Sequence, residues 1–382
     1  MRVMSFFTIA MTVWYGSHAY VAARLIMPLG LATAGKVVAW LFALALASLF
    51  PLTMTIMRSG PVTPWREAFA WISWLYFSFA MMILPVSIIR DLALGAARLA
   101  GLLPAASVRQ ALASANTWVV AAAVILTGIG YLQARAHPRI EEVRVKIPGL
   151  APDLEGFRIV LLCDLHAGGT MVRGQIEYAV KTANALAPDL VALAGDLADG
   201  RVLDAGRALA PLSGLKARHG VFFVMGNHDY FWEPARWAEF ARGLGFHVLV
   251  NEHSVIRHGR AVMVVAGLPD PHGGMHGPSQ VPDLAAAVRG APRGDFRLLI
   301  VHQPRETIAG AKEGFQLAVA GHTHGGQTFP WSLLNPFFHP FTRGLNRVGD
   351  MYSYVSRGTG YWGPPNRLGV PGEITLLILT GR

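Results

Sequence analysis

Four stretches free of Asp, Glu, Lys and Arg, at 3–23, 37–57, 68–89 and 117–134, fill most of the first third of this 382-residue chain. Each has about the ~20 apolar residues that a helix needs to cross the hydrocarbon of a bilayer. Lipid offers the backbone no hydrogen bonds, so a segment of this kind spans as a helix or not at all. Basic residues stand at the borders: Arg2 and Arg24, Lys36 and Arg58, Arg66 and Arg90, and Arg135. The first stretch ends in small residues like a signal peptide, but the three apolar stretches after it favour an uncleaved helix. His18, inside that stretch, reads as a packing or interfacial residue. Residues 91–116, with Arg98 and Arg109 among small and apolar side chains, read as an interfacial helix.

Charge follows the same division. Residues 1–137 carry nine Lys or Arg and two acidic residues, whereas the remainder carries 24 basic and 21 acidic ones. The basic excess therefore flanks membrane spans, and the nearly balanced remainder argues against nucleic acid as a partner. With the N-terminus inside, five basic residues border the spans on each side, and Arg144 and Lys146 tip the balance toward a cytoplasmic C-terminal part. These features predict a multi-pass cell-membrane protein with a transmembrane region over 1–136 and a second domain over 137–382. The lone cysteine, Cys163, excludes an intramolecular disulfide and lies in an apolar run that reads as a buried strand.

From His137 onward, apolar runs of strand length alternate with helical patterns, which points to βαβ units. Strands are expected at 157–163, 190–194, 221–225, 246–250, 261–266, 296–301, 317–320, 351–355 and 374–379. Helices are expected at 174–186, 203–215 and 233–244. Polar clusters sit where the strands end. Asp164-Leu165-His166 ends the first and Gly195-Asp196 the second, 32 residues later. Gly226-Asn227-His228-Asp229 ends the third, with Asn227 31 residues beyond Asp196. A βαβ unit takes ~30 residues, so these clusters should stand side by side on one rim, where open α/β sheets place their ligands. His302 and Gly321-His322-Thr323-His324 close two later strands. Carboxylates, an amide oxygen and imidazoles converging on one edge make a metal site, and that donor mixture suits Mn, Fe or Zn better than Ca or Mg.

This ordered set resembles the calcineurin-like metallophosphoesterase superfamily: Asp-x-His, Gly-Asp, Gly-Asn-His-Asp, a lone His, then Gly-His-x-His. Gly325-Gly326-Gln327, Ser356-Arg357-Gly358 and the run from Pro371 to Thr375 look like its membrane-bound bacterial branch, which includes enzymes acting on phosphorylated lipids and cell-envelope precursors. The resemblance implies two mixed β-sheets sandwiched by helices, and two divalent metals with Mn favoured. One metal would be held by Asp164, His166, Asp196 and His324. The other would be held by Asp196, Asn227, His302 and His322, with Asp196 bridging. It further implies His228 as the acid facing the substrate, oriented by Asp229. The activity expected is hydrolysis of a phosphomonoester, phosphodiester or diphosphate on a lipid-linked substrate. A nuclease or nucleotide phosphodiesterase, or a membrane sensor that only binds nucleotide, are the alternatives.

Two loops carry further expectations. His272 and His276 lie in a Gly/Pro-rich loop, 269–282, read as solvated or as lining a substrate pocket. Residues 328–372 are rich in Pro, Gly and aromatics and read as a packed subdomain or as a lid near the metals that leans on the bilayer, with Arg343, Arg347, Arg357 and Arg367 available for phosphate.

Overall fold

A computed structural model describes residues 2–381, with side chains from Thr8 onward. It divides into two compact units, 1–132 and 133–382. The first is built from four helices: α1 (Arg2–Ile26), α2 (Thr33–Arg58), α3 (Pro64–Leu99) and α4 (Val108–Arg135). Three segments, Thr33–Arg58, Pro64–Leu99 and Ala105–Arg135, are long and apolar enough to cross a membrane. α1 is as long but interleaves Trp14, Tyr15, Ser17, His18 and Tyr20 with its apolar residues; part of the expected 3–23 span lies outside the described side chains. No separate interfacial helix forms over 91–116. Asp91–Leu99 continues α3 and Val108–Asn116 opens α4, because nothing stops α3 before Gly101, which takes φ 74°, and Pro104 follows.

Polar residues join these helices. Tyr20 Oη donates to Asp91 Oδ2 at 2.6 Å, Arg90 Nη1 donates to Asn116 Oδ1, and Asn116 Nδ2 reaches the carbonyl of Leu25 at 3.0 Å. His18 packs against Trp14, ring centroids 4.2 Å apart, and its Nδ1 lies 2.8 Å from the Trp14 carbonyl. That is the packing role expected of it.

The second unit is a sandwich of two six-stranded mixed sheets. In chain order the strands are β1 (Arg139–Lys146), β2 (Arg158–Leu162), β3 (Leu190–Ala194), β4 (Val221–Val224), β5 (His247–Val248) and β6 (Glu252–His258). They continue with β7 (Ala261–Gly267), β8 (Phe296–Ile300), β9 (Leu317–Ala320), β10 (Gly344–Val348), β11 (Met351–Val355) and β12 (Glu373–Thr380). One sheet runs β1-β12-β2-β3-β4-β5, the other β10-β11-β9-β8-β7-β6. β2, β3, β4 and β5 are parallel, as are β7, β8, β9 and β11; β12 runs antiparallel to β2.

The inner strands are apolar on both faces because both are covered. Leu190, Ala192 and Ala194 of β3 face the second sheet, in a core shared with Met263, Val265, Leu298, Ile300 and Val319. Val191 and Leu193 face helices instead. Those helices are α5 (Arg173–Ala185), α6 (Val202–Leu209) and, after the short α7 (Asn227–Phe231), α8 (Pro234–Gly243). The parallel strands β2, β3, β4, β8 and β9 all end beside the residues singled out in the sequence.

Candidate metal centre

Each proposed ligand sits two to four residues beyond a strand, where the backbone leaves the sheet and turns. Among the described residues eight non-glycine ones have positive φ, and five are Asp164 (53°), His166 (47°), Asp196 (56°), His322 (71°) and His324 (49°). Such conformations are unfavourable for ordinary side chains and gather at functional sites. Gly226 shows why the motifs need glycine: a Cβ there would collide with Asp196 Oδ1.

All seven proposed ligands come together. The Nε2 atoms of His166 and His324 are 3.0 Å apart. His324 Nε2 lies 3.7 Å from Asp164 Oδ1, and His166 Nε2 3.5 Å from Asp196 Oδ2. In the second group, Asn227 Oδ1 is 3.0 Å from His302 Nε2 and 2.9 Å from His322 Nδ1. His302 Nε2 is also 3.2 Å from Asp196 Oδ2. Donors held ~2.0–2.2 Å from one metal ion stand roughly 3–3.5 Å from each other. Both groups therefore have the spacing of a coordination shell, and Asp196 belongs to both.

Charge and tautomer fit a metal as well. Asp164 and Asp196 are 0% and 2% exposed, and among the described residues neither pairs with Lys or Arg. Buried carboxylates of this kind need a compensating cation. His302 Nδ1 donates to the Ala194 carbonyl at 2.7 Å, and His166 Nδ1 faces Asp199 Oδ1 at 3.2 Å; each contact leaves Nε2 free to ligate. Burial, helped by His302, lowers His322 to about 3, and burial with Arg367 holds His324 well below the imidazole range. Both rings are neutral, as ligands must be. Burial also disfavours charge on His302, but Asp196 and Asp164 hold its pKa well above the usual value, so metal entry there displaces a proton.

The expected partner of His228 is wrong. Asp229, fully buried, accepts from the backbone amides of Gly226 (2.8 Å), Asp196 (2.9 Å) and Leu197 (2.9 Å). It ties two ligand loops together and does not orient His228. The partner is Asp199, whose Oδ1 makes a very short contact with His228 Nδ1. The same oxygen faces His166, so one carboxylate holds both a proposed ligand and the proposed acid. Burial lowers the His228 pKa, but Asp199 and Asp196 outweigh it and raise it to about 9. Phe231 and Trp362 stand beside the ring, with centroids at 5.4 and 5.8 Å.

Asp229→Ala would strand three buried amides, each costing ~1–3 kcal/mol. It should lower the melting temperature of metal-free protein sharply, whereas Asp199→Ala should change it little. Equal melting temperatures for the two variants would contradict the structural role of Asp229.

The arginines divide. Arg357 pairs with Glu373 and, at 2.9 Å, with Glu141. Arg367, 1% exposed, donates to the carbonyl of Arg357 at 2.7 Å and to His324 Nδ1 at 3.0 Å. Both are thus committed to the fold. Arg343 and Arg347 are exposed. The loop bearing His272 and His276 packs on α7: His276 Nε2 meets the Tyr230 carbonyl at 2.9 Å, and Tyr230 Oη donates to Gln280 at 2.7 Å. His272 rests against Phe231.

Comparison with known proteins agrees with this geometry. Residues 157–326 match the calcineurin-like phosphoesterase family model. A "transmembrane protein with metallophosphoesterase domain" from Danio rerio is 34% identical over 289 residues, covering 72% of this chain and 65% of that one. Its Bos taurus counterpart is 34% identical over 266 residues, 67% and 60% of the two chains. An uncharacterized metallophosphoesterase of Campylobacter jejuni is 32% identical over 247 residues, 64% of each chain. The chain thus spans a little under two thirds of these relatives' length. It belongs to the calcineurin-like metallophosphoesterase superfamily. Its relatives are animal as well as bacterial, so the resemblance is not confined to a bacterial branch.

Proposed function

We propose that this protein is a membrane-anchored dinuclear phosphoesterase hydrolysing a phosphomonoester, phosphodiester or diphosphate on a lipid-linked or cell-envelope precursor. The observation that carries the metal chemistry is the pair of donor groups sharing Asp196. Asp164, His166, Asp196 and His324 would hold one ion, and Asp196, Asn227, His302 and His322 the other, with Mn the favoured metal. When bound, such ions neutralise phosphate charge and activate water for in-line displacement. His228, outside both groups, holds a phosphate oxygen and donates its Nε2 proton to the departing oxygen. Asp199 keeps that ring oriented and protonated. Phe231 and Trp362 form an apolar wall at the same place.

The lipid-linked part rests on the apolar helices: α1 would complete a four-span anchor with the other three, and α4 runs almost directly into β1. A covalent tether of this kind keeps the enzyme where lipid-borne phosphates are. The near-balanced charge of the second unit speaks against a nuclease, and the complete donor set against a sensor that has lost its chemistry.

Protein loaded with Mn and freed of loose metal is expected to carry two ions per chain by elemental analysis; one ion or none overturns the dinuclear reading. The loaded protein should then hydrolyse a long-chain lipid phosphate or diphosphate faster than nucleotides in a direct comparison. A preference for nucleotides would replace the lipid reading with a nucleotide one.

A further inference from the structure

Beside the metal centre, five large apolar side chains face outward in one ten-residue run: Phe329 (51% exposed), Leu333 (62%), Leu334 (46%), Phe337 (81%) and Phe338 (68%). Residues 331–339 form successive helical turns, with the amides of Leu334, Phe337 and His339 bonded to the carbonyls of Trp331, Leu334 and Asn335. Helical spacing places Leu333, Leu334, Phe337 and Phe338 together on one side. The other side, Ser332, Asn335 and His339, packs on the loop that carries His322 and His324. Gly326 permits that packing, since a Cβ there would collide with the Cα of Ser332. Asn335 Nδ2 reaches the Thr323 carbonyl at 3.4 Å, Thr323 Oγ1 donates to the carbonyl of Thr342 at 2.7 Å, and His339 meets His322 edge-on with centroids 5.3 Å apart. The apolar face is therefore fastened to the loop bearing the proposed ligands.

The geometry points to a membrane-inserting element: the face formed by Leu333, Leu334, Phe337 and Phe338 enters the headgroup and upper acyl region of a bilayer, bringing the metal centre to the level of lipid phosphates. Two observations select a bilayer as the occupant. The same chain carries helices long and apolar enough to cross one. Charge also suits an anionic lipid surface, since the exposed charges of residues 328–372 are Arg343, Arg347 and a single acid, Asp350. Apolar tips with a cationic surround are how interfacial elements bind such surfaces. The inference shares the membrane attachment of the proposed function but not its substrate.

The natural chain allows a clean test, because Cys163 is its lone cysteine and is buried. Full-length Phe337→Cys and Leu333→Cys would carry a fluorophore and be reconstituted into phosphatidylcholine–phosphatidylglycerol vesicles. Arg260→Cys, 95% exposed in the β6–β7 turn at the far edge of the second sheet, is the reference. Brominated acyl chains should quench the labels at 333 and 337 and leave the label at 260 bright, while iodide in the buffer does the reverse. Labels at 333 and 337 as open to iodide as the one at 260 would overturn the insertion. So would labels shielded from iodide yet unaffected by brominated lipid, which would put protein, such as a second copy of the chain, on this face. The readout involves no turnover, so quenching with no hydrolysis of lipid phosphates would sink the substrate reading alone.

Discussion

Asp196→Asn should empty both metal positions at once and reduce turnover on the order of 10³-fold or more. Metal ions contribute several kcal/mol of charge stabilisation to a phosphoryl transition state, and each ~1.4 kcal/mol is a factor of ten. Asp196 is also the residue on which the two donor groups meet, with Oδ2 3.5 Å from His166 Nε2 and 3.2 Å from His302 Nε2. Its other oxygen accepts from the amide of His228 at 2.8 Å, so the substitution disturbs the acid's backbone as well. His322→Ala removes a donor from the second group alone and should leave one ion bound. Elemental analysis of both variants after identical loading makes the comparison. If Asp196→Asn retained one tightly held ion, Asp196 would not bridge, and the two groups would have to be treated as independent sites.

How far the sequence led depended on what each segment buries. β3, β9 and β11 begin and end where expected, because their apolar runs are covered on both faces and bounded by Gly or polar residues. β1 went unread: Arg139, Glu141, Glu142, Arg144 and Lys146 keep it polar, as an edge strand paired only to β12 can afford to be. β6 and β10, the two edges of the second sheet, escaped for the same reason. All seven proposed ligands were legible, since each follows an apolar run and their order is distinctive. The error at Asp229 has a local cause. Residues 227–231 form α7, and consecutive residues on a helix point about 100° apart, so neighbours in sequence are not partners in space. Asp199 carried a usable signal, lying three residues after Asp196 on the same loop, but the partner of His228 was sought next door. The exposed apolar face of 331–339 could not be told from a packed subdomain, because composition does not say which aromatics turn outward.

His228→Gln is the second large effect, and its size should depend on the leaving group. His228 is 17% exposed at the side chain, lies against Asp199, and stands next to a proposed ligand without belonging to either donor group. Positioned proton transfer contributes ~10²–10⁴-fold, so losses in that range are expected on alkyl or sugar esters, whose oxygen leaves poorly without a proton. On a nitrophenyl ester the loss should be much smaller, since nitrophenolate departs unprotonated, and two ions should remain bound. A companion variant separates acid chemistry from mere support. Asp199 and Asp196 raise the His228 pKa to about 9 against the opposing effect of burial. An acid works while protonated, so activity on alkyl esters should fall as pH rises through that pKa. Asp199→Asn removes one raising charge and should move this fall to lower pH, while on nitrophenyl esters the profile should shift little. His166, His228 and Asp196 also place donor atoms within 4.8 Å of one another, which gives the experiment its sharpest alternative. Loss of an ion in His228→Gln would make His228 a ligand, and an equal loss on both ester types with two ions retained would leave it a phosphate-binding group only.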